Sequence, residues 1–409
     1  MKVTGSIRPM LPILIGASVM LTLSMGLRQS LGLFMQDVAR DLTITVSDFA
    51  FAVAVQNLVW GLTQPVAGLI ASRYGFRPVM VLGGIVYACG LAILATSESL
   101  IGVMAGAGLM IGFGMACASP SIALSVSART VSPARRSMIL GVVSAAGSLG
   151  ALISAPIGQY LMEAFDWRTA LVGFVAMAII MLPAAWMAGR VDRLPPPPPA
   201  PDSADSLGAR DAILMALRHG PFLVMTGAFF VCGMQLIFLV THLPSYIALC
   251  GLDPMLSAKA LGTIGGFNVI GSLFFGWAGG RWNKQVLLGL LYCARSAVIA
   301  WYFVTPPTPE STLLFAGLMG FLWLGVSPLI AGAVVEMFGL RWQPMLQGVT
   351  FFSHQIGSFL GAFGGGWVFV AYGSYDLALQ IGVSIGMTAG IIQIAVALAR
   401  TPPPKLRAA

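Results

Sequence analysis

The hydrophobic residues of this chain fall into long runs that carry almost no charged side chains, and short polar segments separate the runs. A helix needs about 20 mainly apolar residues to cross the hydrocarbon core of a bilayer. The chain has twelve runs of that kind, two of them interrupted by a single arginine. The runs are apolar on every face and do not alternate with a period of two, which excludes a β-barrel. The predicted spans 1 to 12 are residues 9–36, 49–72, 78–97, 99–128, 137–162, 169–189, 220–252, 260–280, 285–309, 311–335, 342–375 and 377–399.

The composition supports a membrane protein. Of the 409 residues, 57% are hydrophobic and 9% are charged, and the mean hydropathy is +0.89. Soluble domains are about a quarter charged, so a soluble enzyme and a nucleic-acid-binding protein are excluded, and the lipid bilayer is the expected surrounding. The five cysteines form no Cys-x-x-Cys pair, and no phosphate-binding Gly-Lys-Thr loop is present. We therefore expect no metal site, no bound cofactor and no ATP drive.

The basic residues predict the orientation of the spans. With the N-terminus in the cytoplasm, seventeen of the 22 lysines and arginines lie on the cytoplasmic side, and three, Arg40, Arg168 and Lys259, lie on the other side. Cytoplasmic loops are enriched in lysine and arginine, and the opposite orientation would invert this ratio. We expect a multi-pass protein of the bacterial inner membrane with both termini in the cytoplasm.

The spans divide into two groups of six. Between spans 6 and 7, a polar stretch contains the prolines 195–199 and several aspartates, a composition that is typical of a linker. The predicted organisation is a six-helix bundle over residues 1–189, a cytoplasmic proline-rich linker over residues 190–218, and a second six-helix bundle over residues 219–409.

The two groups resemble each other in the spacing of their glycines. Three glycines of span 5 recur in span 11, each 207 residues later, and Gly68 with Arg73 recurs as Gly276 with Arg281, 208 residues later. The span 5 and span 11 glycines are Gly141, Gly150, Gly158, Gly348, Gly357 and Gly365. Small residues allow helices to approach closely, and internal repeats are typical of secondary transporters. The sequence thus predicts an all-α membrane protein with twelve transmembrane helices in two pseudo-symmetric six-helix bundles.

The loop after span 2 resembles the signature of the major facilitator superfamily. That signature reads Gly, three residues, Asp-Arg, one residue, Gly, one residue, Arg, and the chain has Gly68, Ser72-Arg73, Gly75 and Arg77. Ser72 stands where the family has its acid. The resemblance covers nearly the whole chain and implies that this loop and its echo at Gly276 and Arg281 gate a conformational change.

The length and the sequences of spans 1 and 11 look most like bacterial carriers near the monocarboxylate transporters and the oxalate:formate antiporters. Span 5, with Gly150, Ser154, Pro156 and Gly158, is similar to the glycine-proline motif of the family's antiporters, although its spacing departs and one glycine is missing. Those carrier groups tend to have an arginine in span 8, whereas residues 270–277 of this chain contain none.

Three ionisable residues are predicted near the middle of the membrane, namely Arg28 in span 1, Arg295 in span 9 and His354 in span 11. Charged groups are costly at this depth and mark functional sites. No aspartate or glutamate is predicted at the same level. Because arginine stays protonated, two arginines without acidic partners leave a positive potential that a carboxylate would neutralise. The predicted substrate is a small organic anion of the monocarboxylate type.

These residues have different alternative roles. Arg28 is the expected anion contact, because span 1 lines the cavity in the family that the chain resembles. Arg295 lies in a span that is peripheral in that family, so it either contacts substrate or bonds to backbone carbonyls within its bundle. His354 either binds substrate and accepts a co-transported proton, or is a neutral histidine that is hydrogen bonded to a serine or to the backbone.

Four uncharged polar residues complete the predicted substrate site. Gln56 and Asn57 in span 2, Gln235 in span 7 and Asn268 in span 8 can bond to a carboxylate, or they can bridge neighbouring helices.

The sequence therefore predicts a monomeric secondary carrier that moves a small carboxylate by alternating access of its halves, with proton symport or anion exchange. The alternative is an efflux pump for apolar or amphipathic compounds. The methionine-rich, weakly polar spans of such a pump would accommodate compounds of varied shape. A membrane receptor or scaffold built on a carrier fold would show no substrate flux.

Overall fold

The computed structural model describes residues 8–195 and 204–399. Within them, eleven helices are long and apolar enough to cross a membrane. A further helix of 30 residues, Gln343–Tyr372, forms span 11 and buries several polar side chains. The all-α fold with twelve transmembrane helices is thereby confirmed. Spans 1 to 12 are Leu11–Asp41, Val46–Tyr74, Phe76–Ala95, Leu100–Thr130, Pro133–Ala164, Trp167–Arg193, Gly220–Leu249, Met255–Ala278, Lys284–Val304, Pro309–Phe338, Gln343–Tyr372 and Asp376–Ala399.

Polar side chains in the loops fix where several helices begin. The hydroxyl of Thr45 accepts a hydrogen bond from the N–H of Asp48, whose carboxylate accepts from the N–H of Thr45 in return, so span 2 starts with a capping box. Thr308 and Ser311 do the same for span 10. Such caps satisfy backbone N–H groups that have no partner within the helix.

Spans 4 and 10 occupy corresponding places in the two halves, and both are interrupted. Span 4 contains a π-helix over Met104–Met110 and breaks between Ile111–Ala118 and Pro120–Thr130. Span 10 breaks between Pro309–Trp323 and Val326–Phe338. Each break frees backbone groups in the apolar interior, where they need partners from other helices.

Each half has its own hydrophobic core, and the glycine repeats pack in corresponding ways. Gly150 of span 5 lies against Thr22 and Gly26 of span 1, while Gly357 of span 11 lies against Phe230 and Met234 of span 7. Spans 5 and 1 are thus paired as spans 11 and 7 are paired. The repeats predicted from glycine spacing are confirmed as two pseudo-symmetric bundles.

The two halves meet through the other members of the repeats. Gly141 of span 5 packs on Gly276 of span 8, and Gly348 of span 11 packs on Pro65 of span 2. These contacts lie on the side of the molecule where span 6 ends and span 7 begins, which we call the linker face. We call the opposite side the far face.

The halves pack together on the linker face and less closely elsewhere. In the described part of the chain, spans 2 and 11 and spans 5 and 8 pack closely, whereas spans 1 and 7 do not. In the half of span 8 nearer the far face, Gly262, Gly265 and Gly266 have open space at the position of a side chain.

The segment that joins the halves contains a helix that packs on the second bundle. A short amphipathic helix, Ala209–Arg218, precedes span 7 and buries Ala209, Ala212 and Ala216 against the second bundle. The indole N–H of Trp342 donates to the carbonyl of Leu207 at 3.1 Å. Residues 196–203, which include most of the proline run, lie outside the described residues.

Replacement of Gly150 by alanine tests the close packing of spans 1 and 5. The added methyl group would overlap the carbonyl oxygen of Thr22, and overpacking costs about 1–3 kcal/mol. We expect a lower thermal unfolding temperature for Gly150→Ala in detergent. Gly227→Ala is the control, because its position faces open space and alanine favours a helix by about 1 kcal/mol over glycine. Equal unfolding temperatures for both variants would contradict the close packing.

Candidate functional site

Arg28 lies near the middle of span 1, half-buried, with neutral partners. Its guanidinium donates a hydrogen bond to the side-chain oxygen of Asn57 in span 2 and lies 5.2 Å from the ring centre of Trp60. Its Nε has no partner among the described residues. The ion pairs of the described residues are Arg40–Asp37, Arg168–Asp41 and Lys284–Glu336. The charge of Arg28 is therefore held by an amide and an aromatic ring.

Asn57 connects Arg28 to the second half. The amide nitrogen of Gln355 in span 11 donates to the main-chain oxygen of Asn57 at 2.9 Å and lies 3.5 Å from its side-chain oxygen. The side-chain oxygen of Gln355 lies 3.3 Å from Nδ1 of His354. Arg28, Asn57, Gln355 and His354 thus form one polar chain across the boundary between the halves, and we call it the central polar chain.

His354 is half-buried at the end of this chain. Its Nδ1 lies 3.3 Å from the hydroxyl of Ser358, and that hydroxyl donates to the carbonyl of His354 at 2.9 Å. The rings of Phe229 and Phe351 lie with their centres 4.5 and 5.6 Å away. Arg28 and Arg295 are both close enough to interact electrostatically with the imidazole. The sequence analysis gave a hydrogen bond to a serine as part of the alternative role of His354, and Ser358 is such a partner.

The central polar chain provides a charged hydrogen-bond donor for an anion at mid-depth of the membrane. A guanidinium and a carboxylate form charge-assisted hydrogen bonds that are about twice as strong as neutral ones. The side-chain oxygen of Asn57 is a weaker acceptor than a carboxylate would be. A small carboxylate that reached this chain of side chains would therefore have a charged donor within reach, and none of the four members of the central polar chain is acidic.

Arg295 has a different environment. Its side chain is 0% exposed, and it donates to the carbonyl of Leu322 at 2.7 Å, to that of Trp323 at 3.4 Å and to the sulfur of Cys232 at 3.0 Å. The two carbonyls end the first segment of span 10, where the helix dipole favours a cation. Arg295 caps a broken helix within the second bundle, and we leave it out of the substrate site.

Three of the four predicted amides also bridge helices. The side-chain oxygen of Asn268 accepts from the N–H of Leu324 at 2.8 Å, in the same break of span 10 that Arg295 caps. Gln56 donates to the carbonyl of Ala107 in the π-helix of span 4 at 2.7 Å. Gln235 donates to Ser296 and to the carbonyl of Gly382. Of the four, the structure places Asn57 in the central polar chain.

An apolar cavity of about 180 Å³ lies apart from the central polar chain, between spans 7, 11 and 12. Its walls include Phe238, Trp367 and Leu379, and Gln235 contributes a side-chain oxygen without a partner among the described residues. The cavity is suited to an apolar ligand.

The predicted gating loop after span 2 lies on the linker face. Gly75 has φ of +98°, a backbone conformation that favours glycine. The carboxylate of Asp192, at the end of span 6, accepts from the N–H groups of Phe76 and Arg77 at 2.8 and 2.9 Å. Asp192 supplies a carboxylate to this loop, in which Ser72 replaces the acid of the family signature.

The other predicted gating residues also lie on the linker face. Gly68 packs on the backbone of Pro344 at the start of span 11, and Arg73 is exposed. The guanidinium of Arg77 lies 4.5 Å from the ring centre of Trp186, and that of Arg281 lies 4.2 Å from the ring centre of Trp277. Gly276 closes against Gly141, as described above.

The sequence prediction did not include Gln355 or Asp192. Gln355 follows His354 directly, and its place in a polar run of an otherwise uncharged span is a signal that could have selected it. Nothing in the sequence around Asp192, which stands between Arg190 and Arg193, indicates that it reaches the loop after span 2.

Comparisons with known proteins identify the family. The family model of the Major Facilitator Superfamily matches residues 17–362. Human "Monocarboxylate transporter 11" is 28% identical over 374 residues, which cover 89% of this chain and 72% of the relative. The "Uncharacterized MFS-type transporter YcxA" of Bacillus subtilis is 24% identical over 372 residues, which cover 89% and 90% of the two chains.

A solved structure of the proton:xylose symporter XylE superimposes with a TM-score of 0.75 at 10% identity and covers 95% of each chain, which supports the same fold. The matched family and these curated relatives are transporters rather than enzymes. With a family model that covers most of its length and a twelve-helix fold in two halves, this chain belongs to the Major Facilitator Superfamily of transporters.

Proposed function

We propose that this transporter carries a small organic anion of the monocarboxylate type, with Arg28 as the residue that binds the carboxylate. The observation that carries the proposal is the environment of Arg28, a half-buried cation at mid-depth whose hydrogen-bond partner is a neutral amide. The names of the relatives, which include several monocarboxylate transporters, support the same substrate class.

The contacts between the halves support alternating access. Spans 2 and 11, and spans 5 and 8, pack on the linker face, so in this conformation an anion would approach Arg28 from the far face. To release the anion on the linker face, these two pairs of helices must separate while the halves rock about the centre. If the protein lies in a bacterial inner membrane with both termini in the cytoplasm, the far face is periplasmic. We propose that the transporter acts as a monomer.

His354 is the proposed proton site in a symport mechanism. It lies at the second-half end of the central polar chain, and the guanidinium of Arg28 lies at the other end. A protonated imidazole would add attraction for an anion, and loss of the proton would weaken the hold on both. If the transporter exchanges anions instead, His354 contributes hydrogen bonding alone.

A second candidate function is efflux of apolar or amphipathic compounds. The cavity between spans 7, 11 and 12, with its apolar walls, favours it. In that case the carrier would bind lipophilic compounds there and Arg28 would have no part in binding.

Replacement of Arg28 by glutamine tests the anion contact. Hydrogen bonds to charged groups contribute about 1.5–3 kcal/mol, and each 1.4 kcal/mol is about tenfold in affinity. We expect Arg28→Gln to bind short monocarboxylates at least about tenfold more weakly, measured as ligand-induced stabilisation in thermal unfolding of purified protein.

Arg40→Gln is the matched control, because it removes an exposed arginine of the same span that pairs with Asp37. It should retain the wild-type response to carboxylates. Equal stabilisation of the wild type and Arg28→Gln would remove Arg28 from the site. Uptake into proteoliposomes that lipophilic dyes inhibit and short carboxylates do not would favour the efflux function.

Replacement of His354 by glutamine tests the coupling to protons. Glutamine keeps a hydrogen-bonding side chain of similar length but has no group that titrates near neutral pH. We expect His354→Gln to lose uptake driven by a pH gradient while it retains exchange of labelled for unlabelled substrate. His242→Gln is the control, since His242 bonds to the carbonyl of Ala362 nearer the far face. Undiminished pH-driven uptake in His354→Gln would contradict the assignment.

A further inference from the structure

We propose that Gln355 is a positioning residue that holds the two halves together at mid-depth until an anion takes over its hydrogen bond. This inference rests on the proposed function and extends it, because it assigns to a residue outside the predicted site the step that links substrate binding to the movement of the halves.

The first observation is where the hydrogen bond of Gln355 goes. Gln355 belongs to span 11 of the second half, and its amide nitrogen donates to the main-chain oxygen of Asn57 in span 2 of the first half at 2.9 Å. A second hydrogen-bonded junction between the halves, Arg129 to the carbonyl of Arg341 at 3.4 Å, lies at the linker face. The bond of Gln355 therefore lies deeper, at the level of Arg28.

The second observation is how tightly the helices enclose Gln355. Its side chain is 6% exposed. Gly61 of span 2 faces it so closely that a methyl group there would lie 2.8 Å from Cβ and 2.9 Å from Cγ of Gln355. Span 2 thus has a glycine where Cβ and Cγ of Gln355 pack against it. This close contact restricts the movement of the Gln355 side chain while the halves stay together.

The third observation is that Arg28 and Gln355 share one acceptor. Arg28 donates to the side-chain oxygen of Asn57, and the amide nitrogen of Gln355 lies 3.5 Å from the same oxygen. The two donors therefore point into the same small region. A carboxylate bound there is a stronger acceptor than an amide or a backbone carbonyl, because its hydrogen bonds are charge-assisted.

These observations give the direction of the coupling. Without an anion, Gln355 bonds to span 2 and stabilises contact between the halves on the linker side of Arg28. When a carboxylate binds to Arg28, the N–H of Gln355 turns to the anion, and the direct bond between spans 11 and 2 is lost. The anion then connects the halves at the centre, while the linker face is free to part.

Gln355→Met is the principal test, since methionine keeps the length of the side chain and removes the donor. Spin labels at Tyr74 and Trp282, both exposed on the linker face, would report the separation of the halves in a background without accessible native cysteines. In the wild type, we expect formate, acetate, lactate or pyruvate to raise the population with the longer distance.

In Gln355→Met, we expect the longer distance to be populated without ligand, with an open-to-closed ratio raised about fivefold, as expected for one lost hydrogen bond. The carboxylates should then change the distances little. Gln355→Ala repeats the test with a smaller side chain should the methionine variant fold poorly.

Two further variants separate this role from simple packing. Ser353→Ala, on the same helix as Gln355, loses a bond to the carbonyl of Thr226 within its own half, so its ligand-free distances should match the wild type. Gln355→Glu places a carboxylate beside Arg28 and should abolish stabilisation by added carboxylates.

The outcomes distinguish the two proposals. A wild type that responds to carboxylates and a Gln355→Met variant that responds equally, from the same ligand-free distances, would overturn the role of Gln355 and leave the proposed function intact. A wild type that no carboxylate stabilises or shifts would overturn the proposed function, and the role of Gln355 with it.

Discussion

The structure depends on a positive charge at mid-depth, on the boundary between the halves, that has no acidic partner among the described residues. Arg28 is held by the side-chain oxygen of Asn57 and by the face of Trp60. A buried charge is tolerated only where other groups compensate it, and neutral dipoles compensate it incompletely. The central polar chain is the consequence, because the oxygen that holds Arg28 belongs to a residue that the opposite half also contacts. A place of high electrostatic cost is thus also a place where the halves meet.

The same requirement for partners explains the other polar residues of the interior. Spans 4 and 10 are broken or loosened helices, and each break exposes carbonyls or N–H groups to an apolar surrounding. Gln56 bonds to the π-helix of span 4, and Arg295 and Asn268 bond to the two sides of the break in span 10. These side chains stabilise irregular backbone within each half. They therefore shape the site without being expected to touch what binds in it.

The sequence predicted the fold well because its signals are local and repeated. Uncharged runs predict spans, and glycines 207 residues apart predict which helices pack closely in each half. The candidate site was harder to predict. The position of a polar residue along a span gives its depth in the membrane, but not the direction in which its side chain points. Arg28 and Arg295 were predicted at the same level, yet one reaches the boundary between the halves and the other is sealed within a bundle. Gln355 and Asp192 act through partners that lie far away in sequence, which one chain cannot reveal.

Span 11 has a consequence for how this protein enters the membrane. It is as long as its neighbours, but its inner face is lined by amides, hydroxyls and an imidazole, and it falls outside the set of helices that are apolar enough to span by composition alone. During synthesis, the polar side chains of span 11 would find hydrogen-bond partners only once the earlier helices that cover it, spans 2 and 7, are in place. The residues that we propose to serve transport would then favour an order of assembly, with the second bundle completed against the first.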